Sequence, residues 1–348
     1  MTRMRSKAVG ARAVLVISCG LAAGCFANDL HVGPGREFAR IEDAIARAAS
    51  GDRVVVHARE NHEAYEKVAV VVDVPRIEIV AGEAGVRLSG EGFEYSGVGR
   101  VPRAIVQFDP GASGSSLIGF ELTGARNESN NGAGVRINQA NGVAIRDCDI
   151  HDNDMGVMTN GRTEAGRGDG ARDQRFEGCH IHHNGSTREQ GYSHNLYLGG
   201  ESATLVRCVV EASSAGHNIK SRARTTIIDS CLVRDSANRE IDLVDAQGFT
   251  DCDDSFAMIV NSTILKREAS TGNRGVIHFG RDGKADRRGD LTILSSIIVT
   301  HYATPVVQVT TPDAGVRSAA SLVVNTAKRR ESGALVCDRS QVERVGAK

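Results

Sequence analysis

The sequence predicts an all-β fold, a solenoid in which short strands stack coil upon coil. The first observation is an internal repeat, because six short segments of similar pattern recur along the chain. Their central residues are 22, 39, 23, 22 and 36 residues apart, and the two longer steps contain polar insertions. The other observations are the apolar alternation within each segment and the Gly- and Asn-rich turns between segments. The segments are AGVRIN (133–138), MGVMTN (155–160), NLYLG (195–199), NIKSR (218–222), EIDLV (240–244) and VIHFG (276–280).

A second repeated column supports the same fold. Each of its six members is a cysteine or serine that is followed two residues later by Ile or Val. We expect an inward ladder of small side chains, since a metal site would need thiolates that converge with histidines. Cys252 and Cys337 lie outside this column, and the sequence leaves open whether they form a disulfide. The column consists of Cys148, Cys179, Cys208, Cys231, Ser262 and Ser296.

A short helix is predicted near the start of the solenoid, where it would cover the open end of the stacked strands. The segment FARIEDAIARAASGD has apolar residues at helical spacing, and Gly51 ends the run. Those apolar residues are Phe38, Ile41, Ala44, Ile45 and Ala48.

The repeat pattern resembles the right-handed parallel β-helix superfamily to which pectate lyases belong, over about residues 30–330. The resemblance implies a single β-helix domain over residues 31–348, with a short N-terminal capping helix. The stretches GYSHNLYLGG and GHNIKSRA also resemble segments of bacterial β-helix repeat proteins of unassigned activity. They support the fold and leave the reaction open.

The first 24 residues are predicted to be a targeting segment. Four basic residues and no acid accompany the apolar run AVLVISCGLAAG, which is too short to span a membrane. The stretch LAAGC resembles the lipobox of bacterial lipoproteins, which implies a lipid on Cys25 and a tether over residues 25–30. Phe26 rather than Asp follows the cysteine, so the resemblance implies the outer membrane of the cell envelope. An ordinary signal peptide cut near Ala27 is the alternative.

The register of the repeat predicts one outward column of side chains. In each strand the central residue should point outward and the residue before it inward, with stacked positions about 4.7–4.9 Å apart. The inward residues are Val135, Val157, Leu196, Ile219, Ile241 and Ile277. The outward residues are Arg136, Met158, Tyr197, Lys220, Asp242 and His278. Arg222 follows the centre and joins Lys220, Tyr197, Asp242 and His278 as a catalytic candidate. The candidates for substrate binding are Arg136 and, before the centre, His194, Asn195, His217, Asn218, Arg239 and Glu240.

Cations, an acid, a phenol and an imidazole on one face indicate a functional surface. A plain cross-strand ion pair between Lys220 and Asp242, worth a few tenths of a kcal/mol, is the alternative. Four polar insertions adjoin this face and would wall a groove that suits an extended polymer. The insertions span residues 161–174, 185–194, 245–254 and 281–290.

Composition narrows the ligand class. The net charge is −1, which gives no long-range field for nucleic acid or a membrane surface, so the lipid is the expected membrane contact. The chain has no Trp, whereas neutral sugars are usually bound on aromatic platforms. Arg136, Arg222 and Arg239 instead suit carboxylates or sulfates. We therefore expect an acidic polysaccharide as the partner; the oligomeric state is not predicted.

The favoured chemistry is β-elimination on a uronic-acid polymer, which makes the protein a polysaccharide lyase. Lys220, crowded by Arg222 and histidines, is the expected base that removes the C5 proton. Arg222 or Arg136 would stabilise the enolate-like charge. Tyr197 or His278 would protonate the leaving oxygen.

The KS pair inside an outward strand is similar to the catalytic lysine region of β-helix lyases of the alginate lyase and chondroitinase B type, which implies the base role for Lys220. In that family an arginine acts as acid about one coil later. Asp242 occupies the matching position here, so Arg239 or Arg222 would have to supply that role. Some of these lyases use calcium, and otherwise no cofactor is expected. The residues here that would imitate that calcium site are Asn195, Asn218 and Glu240.

Other functions remain open from the sequence. The same groups could run C5 epimerisation, or bind an exported polysaccharide without catalysis, and a purely structural solenoid would bind nothing. Hydrolysis normally needs two carboxylates at a defined separation, and Glu240 and Asp242 would lie about 6–7 Å apart on one strand. No metal site is predicted. For the stretch CHIHHN we expect a turn with a ladder of side-chain hydrogen bonds, formed by His180, His182 and His183.

Overall fold

A computed structural model describes residues 27–162, 170–268, 270–283, 285–302, 305–311, 314–326, 336–338 and 342–344. The leader and Cys25 lie outside these residues, so lipidation of Cys25 stays a prediction. Within the described ranges, no helix combines the length and the apolar content that crossing a membrane requires.

The described chain forms three long sheets, and each full coil contributes one strand to each of them. Strands are numbered in chain order. Sheet 1 contains β1 (Asp29–Val32), β2 (Arg53–Val56), β4 (Glu78–Ala81), β7 (Ser116–Ile118), β10 (Ala144–Arg146), β13 (Gln174–Glu177), β16 (Ser202–Val206), β19 (Thr225–Asp229), β22 (Phe256–Val260), β25 (Asp290–Leu294) and β28 (Gly315–Ala319). Sheet 2 contains β5 (Arg87–Ser89), β8 (Glu121–Thr123), β11 (Asp149–His151), β14 (His180–His182), β17 (Val209–Glu211), β20 (Leu232–Arg234), β23 (Thr263–Lys266), β26 (Ile297–Thr300), β29 (Leu322–Asn325) and β30 (Val336–Asp338). Sheet 3 contains β3 (Val70–Val72), β6 (Ala104–Phe108), β9 (Ala133–Asn138), β12 (Met155–Asn160), β15 (Leu196–Leu198), β18 (Ile219–Ser221), β21 (Ile241–Val244), β24 (Ile277–Gly280), β27 (Val307–Val309) and β31 (Val342–Arg344).

Strands of successive coils pair in parallel, and only the described pair β29–β30 is antiparallel. This is the predicted right-handed parallel β-helix. The six residues predicted to point inward on sheet 3 are all 0% exposed and belong to one continuous core. Burial of these branched side chains, at about 1.5–3 kcal/mol each, is the main force that holds the coils in register.

The cysteine column is confirmed as an interior ladder at the turn between sheets 1 and 2. All four cysteines are buried and free, and the serines continue the column. The backbone N–H of Cys231 donates to Oγ of Ser262 at 3.1 Å, and that of Ser262 donates to Oγ of Ser296 at 3.2 Å. Burial raises the pKa of the Cys148 thiol to about 12, which suits an inert packing group. Cys252 is also a free cysteine.

The predicted helix is shorter than its apolar pattern suggested. It spans Ile41–Arg47 (α1), with Ile41, Ala44 and Ile45 buried, and it packs against β1, β2 and β3 as a cap. Phe38 lies before the helix, where its backbone bridges to Val32 of β1. Two short 3-10 turns follow, at Glu60–His62 and Pro110–Ala112.

Candidate functional site

The predicted column forms a vertical stack on sheet 3, although Lys220, Asp242 and His278 are buried. Cα partners across β9, β12, β15, β18, β21 and β24 follow the predicted register. The stack runs Arg136, Met158, Tyr197, Lys220, Asp242 and His278. Gln107 precedes it and Gln308 follows it.

A cleft of about 700 Å³ opens beside the first half of this column. Of the predicted residues, Arg136, Tyr197 and Arg222 line it. Arg162, Asp245 and Asp251 line it too, and they belong to the insertions 161–174 and 245–254 that were predicted to wall the groove. The cleft therefore combines three guanidinium groups with one phenol and two carboxylates.

A second cleft, of about 570 Å³, continues along sheet 3 and shares Arg136 with the first. Arg100 and Arg103 bring two more cations, and Asp109 brings an acid. Since neighbouring strands are about 4.8 Å apart, the two clefts together follow the sheet for about 19 Å, from β6 to β18. We call this pair of clefts the sheet 3 groove.

Tyr197 and Arg222 form the polar centre of the groove. Nε of Arg222 donates to the phenol oxygen of Tyr197 at 2.9 Å, and Nη2 donates to Oδ2 of Asp282 at 2.6 Å. Burial would lower the pKa of Arg222, but Tyr197, Asp282 and Asp245 outweigh it and the pKa is raised. Arg222 is therefore a fixed cation beside a half-buried phenol.

Lys220, the expected base, is held as a hydrogen-bond donor. Its Nζ donates to Oδ2 of Asp282 at 2.7 Å and lies 3.6 Å from Oδ2 of Asp242, and the side chain is 11% exposed. An ammonium group that faces two carboxylates has no free lone pair for a substrate proton. This geometry favours Lys220 as a second cation behind Arg222.

Asp242 is the buried centre of a charge cluster. Its Oδ1 accepts from Nδ1 of His278 at 2.8 Å and from Nη1 of Arg239 at 3.1 Å. Its Oδ2 lies 3.3 Å from Nε2 of His217 and 3.6 Å from Nζ of Lys220. Burial would raise the pKa of Asp242, but these partners outweigh it and lower the pKa well below its ordinary value. Because Asp242 is 0% exposed, it positions the residues around it and does not meet a ligand itself.

His194 and His217, expected to contact substrate, are buried beneath the face instead. Their rings stack with centroids 5.0 Å apart. The backbone N–H of Arg239 donates to Nδ1 of His217 at 3.1 Å, and that of His217 donates to Nδ1 of His194 at 3.0 Å. Both rings are thus neutral with the proton on Nε2. Burial lowers the pKa of His217 to about 4 and that of His194 well below its usual value.

This burial predicts acid destabilisation. In the unfolded chain His217 binds a proton below about pH 6.5, whereas in the folded protein it binds one only below about pH 4. The free energy of unfolding therefore decreases as the pH is lowered from about 6.5 to about 4. Because of His217, we expect the free energy of unfolding of the wild type to be lower at pH 5 than at pH 7 by about 2 kcal/mol. Urea unfolding at both pH values measures it. His217→Gln should lose that part of the pH dependence, and an unchanged slope in the variant would contradict the prediction.

His278 is also unavailable to a substrate, so its expected role as leaving-group acid is wrong. The residue is buried, and its Nδ1 is bound to Asp242. Its Nε2 lies 2.7 Å from Oγ1 of Thr310, a hydroxyl that also accepts the backbone N–H of Arg281. Thr310 and the segment at Arg281 therefore cover this end of the column. Arg239, likewise expected to bind substrate, directs its guanidinium to Asp242.

Asn195, Asn218 and Glu240 do not lie on the face, and this prediction of substrate or calcium ligands is wrong. They precede the strands, in the turn between sheets 2 and 3, where the alternation of side chains no longer applies. All three are fully buried in a ladder. Nδ2 of Asn195 donates to Oδ1 of Asn218 at 2.8 Å, and Nδ2 of Asn218 donates to Oε2 of Glu240 at 2.6 Å. Glu240 ends the ladder in an ion pair with the buried Lys266 at 3.2 Å. These oxygens are occupied by protein donors, so the residues do not fit a calcium site.

Asp282 is the important residue that sequence reasoning missed. It joins Lys220 to Arg222, and it belongs to the insertion at 281–290, which the sequence predicts only as part of the groove wall. Oδ1 of Asp245 accepts the backbone N–H of Asp282 at 2.5 Å and of Gly283 at 2.8 Å, which fixes the loop. Arg287 anchors the same loop with a buried guanidinium that donates to the carbonyl oxygens of Val244 and Ala223.

The sequence matches no protein-family model and no curated protein. Among solved structures, the chain is similar to a pectin methylesterase from Aspergillus niger at 12% identity, over 83% of this chain and 84% of that chain, with a TM-score of 0.45. It is similar to the pectate lyase Pel9A at 11% identity, over 86% of this chain and 77% of that chain, with a TM-score of 0.48. It is also similar to pectin methylesterase PemA from Erwinia chrysanthemi at 9% identity, over 92% and 89% of the two chains, with a TM-score of 0.36. The function proposed below rests on the site.

Proposed function

We propose that the protein acts on an acidic polysaccharide, and that it cleaves a uronic-acid polymer by β-elimination in the sheet 3 groove. The observation that carries this proposal is the contact between the phenol of Tyr197 and the guanidinium of Arg222 inside an arginine-lined cleft. This contact places a phenol, which can take up and release a proton, next to a cation that can neutralise a carboxylate.

The groove chemistry supports an anionic polymer. Arg100, Arg103, Arg136, Arg162 and Arg222 line its two clefts, and guanidinium groups pair with carboxylates through two parallel hydrogen bonds. Burial, with Arg103 nearby, lowers the pKa of Arg136 to about 10, which still leaves it charged at neutral pH. A groove of about 19 Å spans several sugar units, which suits a chain rather than a single sugar.

In the proposed reaction, the cations stabilise negative charge and Tyr197 moves the proton. Arg222 binds the uronate carboxylate and, with Lys220 behind it, stabilises the negative charge that develops when C5 loses its proton. The phenolate form of Tyr197 takes that proton, and the electron pair forms the C4–C5 double bond. The C4–O4 bond then breaks, and O4 takes up the proton that the phenol of Tyr197 now carries, which restores the phenolate.

The direct test is absorbance near 235 nm, where the unsaturated product absorbs, on incubation with alginate, polygalacturonate, glucuronan and chondroitin. Each polymer is tested with calcium and with a chelator, and a neutral glucan serves as control. A rise on at least one uronic polymer and none on the glucan is expected. A flat trace on every uronic polymer would contradict elimination and would favour C5 epimerisation or binding alone, which use the same groove.

We also propose that Cys25 carries the lipid that anchors the protein to the outer membrane. Wild-type protein expressed in bacteria should incorporate labelled palmitate and sediment with the membrane fraction. Cys25→Ala should lose both properties, whereas the matched Cys252→Ala should keep them. Palmitate labelling that persists in Cys25→Ala would show that the anchor is elsewhere.

A further inference from the structure

A cluster of histidines and acids lies on the outer surface of sheet 2, on a different face from the groove. The stretch CHIHHN was expected to form a turn, but His180 and His182 lie in strand β14 with both side chains outward. Strand β14 pairs with β11, so that His180 lies beside Asp149 and His182 beside His151. Two successive coils therefore present an acid and three imidazoles together.

Three of these side chains converge. Oδ1 of Asp149 is 2.9 Å from Nε2 of His182 and 3.7 Å from Nδ1 of His180. One ligand atom from each of the three residues lies within 4.8 Å of the other two. Ligand atoms around a tetrahedral zinc ion, at about 2.0–2.1 Å from the metal, are about 3.3 Å apart. The two separations from Asp149 lie on either side of that value and the third is within 4.8 Å, so rotations of the side chains would bring the three atoms to this spacing.

The outer partners of the two histidines point to a metal independently. Nε2 of His180 lies 2.9 Å from Oε1 of Glu211, so a proton on Nε2 leaves the Nδ1 lone pair directed toward Asp149. Nδ1 of His182 lies 2.6 Å from Nδ1 of His183, and a proton between those atoms leaves Nε2 free for a metal. A metal-binding histidine usually donates its other ring N–H in this way, and such partners orient the ring.

We propose that Asp149, His180 and His182 bind one divalent transition-metal ion of the zinc type. Two imidazole nitrogens and one carboxylate oxygen suit zinc and its neighbours, whereas calcium and magnesium prefer sites built of oxygen alone. Asp149 and His180 are about half-exposed, which leaves solvent access to the remaining coordination position. The ion would link β11 to β14 and so tie two successive coils together.

The test is a zinc titration of the purified, chelator-treated protein by calorimetry, with Co²⁺ absorption as a second readout of coordination. We expect one ion per chain, a zinc-induced rise in Tm, and Co²⁺ bands typical of nitrogen and oxygen ligands. The His180→Gln/His182→Gln double variant should lose both the site and the Tm rise. Glu211→Gln should bind about 10–100-fold more weakly, because it removes only an orienting partner.

His57→Gln is the matched control, since His57 stacks on His31 in another histidine pair, on sheet 1. It should bind zinc as the wild type does. Absence of stoichiometric binding would overturn the proposal. Zinc binding that survives in the double variant, or that is lost in His57→Gln, would also overturn the proposal. Because polymer cleavage is not the readout, failure of the metal site leaves the proposed reaction untouched.

Discussion

Tyr197→Phe is expected to lower the rate of uronic-polymer cleavage by at least about 100-fold while polymer binding changes little. The substitution removes only the hydroxyl that exchanges the proton, and it leaves the arginines of the groove in place. The rate is measured as the increase in absorbance near 235 nm, and binding is measured by the retardation of the protein in gels containing the polymer.

Tyr302→Phe is the matched control for that experiment. The phenol of Tyr302 lies outside the residues that line the groove and donates to the carbonyl oxygen of Glu268. We expect its cleavage rate to stay within about twofold of the wild type, which is a barrier change of about 0.4 kcal/mol. Equal losses in the two variants, or a fully active Tyr197→Phe protein, would remove Tyr197 from the reaction.

Asp242→Asn is expected to destabilise the fold by about 3–5 kcal/mol, the usual cost of leaving a buried charge without its partner. Arg239 would lose its carboxylate, and Lys220 would keep only Asp282. The free energy of unfolding in urea at pH 7 measures the effect. Since the lowered pKa keeps Asp242 ionised in the folded protein, the difference between variant and wild type should be present throughout the neutral range.

Asp29→Asn provides a surface comparison for the same change. Asp29 pairs with Arg53 at 2.5 Å, but both side chains are more than one-third exposed and solvent screens the pair, so the expected loss is much smaller than in Asp242→Asn. A loss in Asp242→Asn no larger than in Asp29→Asn would mean that Asp242 does not hold the cluster together.

The strands and their stacking were predictable because the alternation of apolar residues and the repeat length can be read directly from the order of residues. Alternation placed Ile219 inward, and the repeat set Lys220 beside Asp242 in the next coil. The same rule failed just before the strands, where Asn218 turns into the interior to satisfy backbone groups such as the carbonyl oxygen of Arg234. A turn has no period of two, so its side-chain directions depend on backbone hydrogen bonds that no spacing reveals.

For the candidate site, the sequence predicted which residues stack on one face of sheet 3. It did not predict the hydrogen bonds and ion pairs that join them to loop residues. Tyr197 and Arg222 lie two positions apart in the aligned repeat, so their proximity follows from register. Asp282 comes from an insertion, and its approach to Lys220 depends on how Asp245 and Arg287 hold that loop. Burial of His278 likewise depends on a cover supplied by the next coil.

The central claim is that the sheet 3 groove removes the C5 proton of a uronate, and proton NMR of uronic polymers incubated with the protein in D₂O tests it most directly. For wild type we predict a new vinylic C4 proton signal on at least one polymer, absent with Tyr197→Phe. Exchange at C5 without a vinylic signal would identify an epimerase in place of a lyase. If every polymer kept its C5 protons, or if Tyr197→Phe produced the vinylic signal as fast as wild type, the proposed chemistry at this groove would be contradicted.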